Sequence, residues 1–282
     1  MRVLALLLAA ALSARAEKPN DPWARPIEPY RIAGNIYYVG SVDLACFLVT
    51  TPQGNILINT GYRQMVPGIR ASVGKLGFRF DAIRWLLTGQ AHEDHVAGFA
   101  ALREQTHAAV AVMAGDADIV EHGGKGDFLF DGRMSWPPCP VNRVLHDGDT
   151  ISLGGTTLTA HLTPGHTKGC TAWTTTVVDN GRPLRVVIVG GVTVNPGTKL
   201  VNNPKYPGIA SDFERTFRTL RALPCDIFLA AHASQYGMDE KLKRRGPGAN
   251  PFIDPEGYRA YVDRAEAAFH KELARQMSAA GK

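Results

Sequence analysis

Six consecutive residues, QAHEDH at positions 90–95, concentrate side chains that can bind a metal ion. They follow an apolar run at positions 83–89, which we interpret as a buried strand. Imidazole and carboxylate groups are preferred zinc ligands, and a turn after a strand lets alternate side chains converge on one point. We therefore interpret the segment as a metal site, whose candidate ligands are Gln90, His92, Asp94 and His95.

A simpler explanation of the same segment is a polar loop that caps a helix. In this alternative the helix starts near Val96, and Asp94 accepts hydrogen bonds from its first backbone N–H groups. Four candidate donors within six residues favour the metal site over the cap.

Two further histidines occupy similar positions later in the chain. His166 lies in a turn, TPGHTKG at positions 163–169, and His232 follows an apolar strand at positions 227–231. Functional side chains are commonly carried where a strand gives way to a loop. Each histidine alone is equally well explained as a structural residue, but together with positions 90–95 they favour a single metal centre.

These residues resemble the motifs of the metallo-β-lactamase superfamily and, within it, of subclass B3. Positions 90–95 stand where the family has its HxHxDH motif, and NTG at positions 59–61, GHT at positions 165–167 and His232 match its other motifs. The resemblance extends from about position 36 to about position 237. It implies an α/β fold, the αβ/βα four-layer sandwich, with one or two Zn²⁺ ions per chain.

The resemblance also implies two ligand sets. Gln90, His92 and His166 hold one zinc ion, and Asp94, His95 and His232 hold the other. Two positions depart from the family pattern, because Gln90 stands where a histidine is usual and Asn59 where an aspartate is usual. An amide oxygen is a weaker zinc donor than imidazole, so we expect a weaker first site. The change at Asn59 alters a group behind the ligands, and such groups tune metal affinity.

The region after a later strand distinguishes the subfamilies. The strand at positions 187–189 leads into a Gly-Gly pair at positions 190–191, without the bridging aspartate or the cysteine that other superfamily members place there. This pattern resembles subclass B3, in which the histidine next to Asp94 supplies the missing donor. By the same resemblance, Thr193 and Asn195 lie near the carboxylate of the substrate.

A glycine-rich segment at positions 123–132, here called the flap, contains the apolar residues Phe128, Leu129 and Phe130. Its composition is typical of a flexible loop whose aromatic residues cover a substrate, and its position fits the active-site loop of the resembled family. Phe128 is therefore a candidate substrate contact. Equally, the two phenylalanines can serve only to anchor the loop to the core.

The function implied by the resemblance is hydrolysis of the lactam amide of penicillins, cephalosporins and carbapenems, which gives antibiotic resistance. A metal-bound hydroxide attacks the lactam carbonyl, and Asp94 acts as the catalytic residue that orients water. The sequence contains no Ser-x-x-Lys signature of serine β-lactamases, which agrees with a metal-dependent route.

Two alternative functions remain open. Another hydrolase of the same fold would act on a lactone or thioester, although the missing bridging aspartate argues against it. The replacements at Gln90 and Asn59 also leave open a degenerate metal-binding protein with little catalysis. Zinc-dependent turnover of a chromogenic cephalosporin separates the lactamase from this last alternative.

The first 16 residues have the features of a secretory signal peptide. Arg2 precedes an apolar run, and ARA at positions 14–16 is a small-residue cleavage signal. We predict that residues 1–16 are removed and that residues 17–282 form a single domain in the periplasm. No later segment is apolar enough to span a bilayer, so we expect no membrane insertion.

Charged residues are balanced and mixed along the chain. The 31 Lys and Arg residues and 26 Asp and Glu residues give a formal net charge of +5 at pH 7. This balance does not indicate nucleic-acid binding. We expect a monomer whose partner is a small β-lactam.

The four cysteines are Cys46, Cys139, Cys170 and Cys225. An oxidising compartment permits disulfides, and four cysteines allow three complete pairings. Cys225 resembles a family cysteine that pairs with one nearer the C-terminus, but no cysteine follows it here. Alternatively, the cysteines serve as small buried apolar residues.

Hydrophobic periodicity predicts two blocks of strands flanked by helices. Strands are predicted at positions 36–40, 45–50, 55–59, 83–89, 108–113, 156–162, 171–178, 185–189 and 227–231. Helices are predicted at positions 66–76, 96–104, 212–222 and 255–277. Such an order suits two sheets packed between helical layers, as the resemblance implies.

Overall fold

The computed structural model describes residues 22–248 and 250–280. The predicted signal peptide, residues 1–16, lies outside the described residues. Within the described part of the chain, no helix combines the length and apolar character needed to cross a bilayer.

The first sheet contains seven strands that lie side by side in chain order. They are β1 (Tyr30–Ala33), β2 (Ile36–Tyr38), β3 (Phe47–Thr51), β4 (Gly54–Ile58), β5 (Ile83–Leu87), β6 (Ala109–Met113) and β7 (Arg143–Leu145). Strands β1 to β4 pair antiparallel, whereas β4 to β7 pair parallel. The carboxyl ends of β4, β5 and β6 therefore meet at one edge of this sheet.

The second sheet contains five strands. They are β8 (Thr150–Leu153), β9 (Thr156–Leu162), β10 (Thr171–Asp179), β11 (Arg182–Val189) and β12 (Ile227–Ala230). The spatial order runs from β12 to β8, and only the β11–β12 pair is parallel. The carboxyl ends of β11 and β12 therefore point the same way.

The described residues form seven α-helices, most of which pack on the outer faces of the two sheets. They are α1 (Val66–Lys75), α2 (Glu93–Val96), α3 (Phe99–Thr106), α4 (Ala114–Glu121), α5 (Ile209–Ala222), α6 (Met238–Lys243) and α7 (Pro255–Ala280). Helices α1, α3 and α4 pack with the first sheet, and α5 and α7 pack with the second. The predicted four-layer αβ/βα sandwich is confirmed.

Alternating side chains in the strands separate the two cores. In β4, Ile56 and Ile58 belong to the core shared by the sheets, whereas Leu57 packs in the core beneath α1 and α3. This alternation follows from the two-residue period of a strand. On the far side, Phe213 of α5 stacks on Phe269 of α7, with ring centroids 5.2 Å apart. Each sheet is thus buried on both faces, which fixes the positions of its strand ends.

The helix predicted at positions 96–104 corresponds to α3, which begins at Phe99 with Gly98 at the cap position. A separate short helix, α2, begins at Glu93, and His92 occupies its cap position without a side-chain cap bond. Asp94 and His95 therefore lie in α2. The capping alternative is wrong, since Asp94 caps neither helix.

Strands β1, β7 and β8 and helices α2, α4 and α6 were not predicted, because they are short and weakly periodic.

All four cysteines are buried free thiols in the structure. This agrees with the alternative in which the cysteines serve as small buried apolar residues.

The backbones of the two sheets lie close together where β5 and β11 end. A Cβ atom added to Gly190 would lie 2.2 Å from the carbonyl oxygen of Gly89 and 2.7 Å from that of Thr171. Because all of these atoms belong to the backbone, no side chain can move to make room. Only glycine fits at position 190.

We expect Gly190→Ala to lower the free energy of unfolding by about 1–3 kcal/mol, since overpacking of this contact forces the strand ends apart. Gly68→Ala in α1 is the matched control, because no atom lies within 4 Å of its added Cβ. The control is expected to gain up to about 1 kcal/mol from helix propensity. Urea unfolding measures both changes, and equal stability of Gly190→Ala and wild type would contradict the assigned contact.

Candidate metal centre

The metal-binding segment is held at the end of β5 by Asn59. Asn59 has a left-handed backbone, with φ of 61°. Its Oδ1 accepts hydrogen bonds from the Gly89 N–H at 3.0 Å and the Thr88 hydroxyl at 3.2 Å. Its Nδ2 donates to the Ala45 carbonyl at 3.2 Å. A carboxylate has no N–H and could not make this last bond, so the amide at position 59 has a structural role of its own.

Three of the predicted ligands converge beyond the ends of β5 and β12. Potential ligand atoms of Asp94, His95 and His232 all lie within 4.8 Å of one another. The Oδ2 atom of Asp94 lies 3.2 Å from His95 Nε2 and 3.4 Å from His232 Nε2. Two imidazole nitrogens therefore face one carboxylate oxygen. Tetrahedral zinc requires such a convergence of donors.

Charge interactions within this group shift its pKa values. Burial opposes ionisation of Asp94, but the charges and hydrogen bonds of His95 and His232 hold its pKa well below the usual value. Burial likewise opposes protonation of His232, yet the carboxylates of Asp43 and Asp94 raise its pKa to about 9. The group thus has the electrostatic attraction for positive charge that a cation site needs.

His232 is oriented from behind by Asp43. The Nδ1 atom of His232 lies 2.9 Å from Asp43 Oδ2, and the other oxygen of Asp43 accepts the backbone N–H of Ser234 at 2.9 Å. With its proton on Nδ1, the imidazole presents Nε2 toward Asp94.

The other predicted ligands form a neighbouring group. The ring centroids of His92 and His166 are 4.9 Å apart. Nδ1 of His166 lies 2.7 Å from the Thr193 carbonyl oxygen, to which it donates, so Nε2 is left as the ligand atom. Burial lowers the pKa of His166 to about 4 and that of His92 well below its usual value. Both rings are therefore neutral near pH 7, as metal ligands must be.

Several candidate ligands carry buried polar atoms that have no hydrogen-bond partner. Among the described residues, such atoms include Oε1 of Gln90, Nε2 of His92 and Nδ1 of His95. A buried polar group without a partner is costly, and native proteins seldom leave several together. A bound metal ion would satisfy the oxygen of Gln90 and take one nitrogen from each neighbouring imidazole ring, so the residues present fit a metal.

A buried carboxylate, Asp116, joins the two ligand loops. Its Oδ2 accepts hydrogen bonds from the Ala91 N–H at 2.9 Å and the Thr167 hydroxyl at 2.7 Å. Its Oδ1 accepts the Gly169 N–H at 2.7 Å. Burial raises the pKa of Asp116 to about 6, although these hydrogen bonds work in the opposite direction. The loop after β5 and the loop after β9 are thereby fixed to one side chain.

A glycine makes room for one of the histidines. A Cβ atom added to Gly191 would lie 2.4 Å from Cδ2 of His166. The imidazole ring therefore lies directly against the backbone after β11.

The candidate substrate residues lie in the segment after β11 and in the flap. Thr193 is exposed and Asn195 is half-buried. In the flap, half-buried Phe128 packs edge-on against Tyr206, with ring centroids 5.1 Å apart, and Phe130 packs edge-on against His92 at 5.1 Å. Phe128 anchors the flap to the core, whereas Phe130 contacts a candidate ligand.

A sequence profile of the metallo-beta-lactamase superfamily matches residues 43–232, about two thirds of the chain. The chain belongs to the metallo-β-lactamase superfamily. The match spans every predicted metal ligand and begins at Asp43, the residue behind His232.

Solved structures of this superfamily superimpose on most of the chain. The native FEZ-1 metallo-β-lactamase from Legionella gormanii is 45% identical, with a TM-score of 0.88, and the match covers 91% of this chain and 99% of that protein. The metallo-β-lactamase GOB-18 from Elizabethkingia meningoseptica is 36% identical, with a TM-score of 0.89 and coverage of 95% and 100%. The class B3 di-zinc metallo-β-lactamase LRA-12 from an Alaskan soil metagenome is 38% identical, with a TM-score of 0.85 and coverage of 91% and 98%.

A curated relative, a probable metallo-hydrolase of Burkholderia pseudomallei (strain 1710b), is 29% identical over 163 residues. The alignment covers 55% of this chain and only about half, 52%, of the relative. The predicted superfamily, the resemblance to subclass B3 and the enzyme class are confirmed by the profile and the solved structures.

Sequence reasoning missed three residues of this metallo-β-lactamase centre. Asp43 and His232 lie 189 positions apart and no local pattern connects them. Asp116 carries a recognisable signal, because it is a carboxylate just after the apolar strand β6, but it was not singled out. Trp23, 47% exposed, packs edge-on against His232, with ring centroids 5.4 Å apart.

We expect Asp116→Asn to lower the free energy of unfolding by about 1–3 kcal/mol. Whichever way the amide is oriented, the N–H of Ala91 or Gly169 then faces another donor. Asp118→Asn on the same helix is the control, since that side chain is 79% exposed and should be nearly neutral to replacement. Urea unfolding compares the two variants, and equal stability would refute the joining role of Asp116.

Proposed function

We propose that this protein is a zinc-dependent β-lactamase that hydrolyses the lactam amide of penicillins, cephalosporins and carbapenems and so gives antibiotic resistance. The observation that carries the proposal is the convergence of Asp94, His95 and His232 beside a second group with buried unpaired donors. The relatives named above include metallo-β-lactamases from two bacteria and a soil metagenome, which supports this substrate class.

The six predicted ligands divide into two sites in this proposal. Gln90, His92 and His166 hold the first zinc ion, and Asp94, His95 and His232 hold the second. A bound zinc ion polarises a carbonyl oxygen and lowers the pKa of water to about 7.

The side chains of the centre position the reactants. Asp94 orients the attacking water, because its carboxylate is itself fixed by His95 and His232. Thr193 and Asn195 lie in the segment after β11, and Thr193 contacts His166. In this proposal both residues donate hydrogen bonds to the substrate carboxylate.

Aromatic side chains supply the walls of the proposed substrate site. Phe130 and Trp23 present rings next to the two ligand groups, and Phe128 supports the flap. Apolar walls of this kind exclude water from around a bound lactam.

Other features of the proposal come from the sequence. Removal of residues 1–16 delivers the enzyme to the periplasm, where β-lactams act. The enzyme is proposed to work there as a monomer on a small substrate, with no nucleic-acid partner and no membrane insertion.

The substrate is tested by turnover of a chromogenic cephalosporin, a penicillin and imipenem. We expect hydrolysis of all three, loss of activity on adding a chelator, and recovery on adding zinc. Asp94→Asn should reduce turnover by more than the roughly 10–100-fold that removal of a group behind a ligand costs.

A simple lactone and an acyl thioester are the control substrates. Faster turnover of either one than of every β-lactam would favour the alternative hydrolase. Zinc binding without turnover of any substrate would favour the degenerate metal-binding protein.

Gln90→His tests the weaker first site. Imidazole binds zinc better than an amide oxygen, so we expect zinc content after dialysis to rise from about one toward two ions per chain. Gln53→His, at an exposed turn, is the control and should leave the zinc content unchanged. Elemental analysis measures all three proteins, and two zinc ions in the wild type would show that Gln90 is already an adequate ligand.

A further inference from the structure

One carboxylate of the flap faces the buried nitrogen of a candidate ligand. Asp127 Oδ2 lies 3.8 Å from His92 Nε2, and the side chains of both residues are only 5% exposed. Nε2 of His92 has no hydrogen-bond partner among the described residues. The two groups are thus shut away from solvent together, within a small movement of a hydrogen bond.

The other oxygen of the same carboxylate shapes the flap. Asp127 Oδ1 accepts the backbone N–H groups of Leu129 at 2.8 Å and Phe130 at 2.5 Å. Phe130, held by this turn, packs against the His92 ring. Asp127 therefore fixes the tip of the flap with one oxygen and faces His92 with the other.

Two other histidines of the centre also have a hydrogen-bond acceptor at one ring nitrogen. His232 has Asp43 at Nδ1, and His166 has the Thr193 carbonyl at Nδ1. In each case an acceptor behind the ring holds the proton on one nitrogen and leaves the opposite nitrogen for the metal. At His92 the acceptor faces Nε2 instead, so the nitrogen left for the metal is Nδ1.

We propose that Asp127 is a positioning residue for the first metal site. Its carboxylate accepts the Nε2–H of His92 when Nδ1 binds zinc, and so couples zinc binding in the first site to closure of the flap. This inference rests on the proposed function, because it requires His92 to be a zinc ligand.

This coupling compensates for the weak zinc ligand Gln90 in the first site. A carboxylate behind an imidazole increases the basicity of the ring and fixes its orientation, which strengthens the metal bond. Because the carboxylate belongs to the flap, the first zinc ion and the ordered flap stabilise each other.

Zinc titration of Asp127→Asn in the full-length mature protein tests the proposal. Asparagine keeps an oxygen that can accept the backbone N–H groups of Leu129 and Phe130. It replaces Oδ2 with an amide NH2 group, which donates hydrogen bonds instead of accepting them. In competition with a chromophoric chelator, we expect affinity for the first zinc site to fall about 10–100-fold and affinity for the second to stay unchanged.

Asp131→Asn is the matched control, because Asp131 is an exposed carboxylate in the same flap and asparagine keeps the oxygen that accepts the Gly126 N–H. It should leave both zinc affinities unchanged. Asp43→Asn should show the reverse pattern, with a weaker second site and an unchanged first site.

Two measurements on the wild type are independent of the variants. Imidazole ¹⁵N spectra of the zinc-loaded protein should place the metal on His92 Nδ1 and a proton on Nε2. Zinc loading should also slow hydrogen exchange of the Phe130 N–H in the wild type, and much less so in Asp127→Asn.

Several outcomes would overturn the coupling. One is that Asp127→Asn binds zinc as tightly as the wild type. Another is that the imidazole spectra place zinc on Nε2 of His92, or show no zinc on His92 at all. Hydrolysis of β-lactams by a protein with zinc only at His232 would leave the proposed function standing. Conversely, coupling without any β-lactam turnover would sustain this inference and reject the proposed function.

Discussion

The metal centre depends on the buried carboxylate of Asp116. This side chain lies at the beginning of α4 and accepts three hydrogen bonds from loops that belong to different sheets. A carboxylate is suited to this position, because it accepts at both oxygens and brings no hydrogen of its own. The distance between His92 and His166 is therefore set by the packing of the two sheets, with Asp116 as the common attachment.

Hydrogen-bond acceptors behind the imidazole rings also orient the ligands of the centre. Asp43, the Thr193 carbonyl and Asp127 each face one nitrogen of a different histidine, and each comes from a segment distant in sequence from the ring it faces. None of these segments is part of the short motif that carries most of the ligands. The motif thus supplies most of the metal ligands, and the rest of the fold sets which ring nitrogen of each histidine faces the metal.

Much of the fold and site follows from local patterns. Apolar runs with turn residues after them predicted β5 and β12, and the histidines beyond those strands were found because their types match zinc chemistry. The four layers were predicted from the order of strands and helices. Asp43 could not be found in this way, because its role depends on the antiparallel approach of residues near β3 to the loop after β12. The short helix α2 was not predicted, because a histidine at the cap position, without a cap hydrogen bond, is not a usual helix signal.

The burial of all four thiols has a consequence for their reactivity. Burial raises the pKa of Cys170 and of Cys225 to about 12, so neither is a thiolate at neutral pH, and the thiolate is the form that exchanges with disulfides. No covalent crosslink contributes to the described fold, whose stability comes from the two cores. Once the protein is folded, these thiols are therefore poor partners for thiol–disulfide exchange, and native packing itself protects them from the redox state of the surroundings.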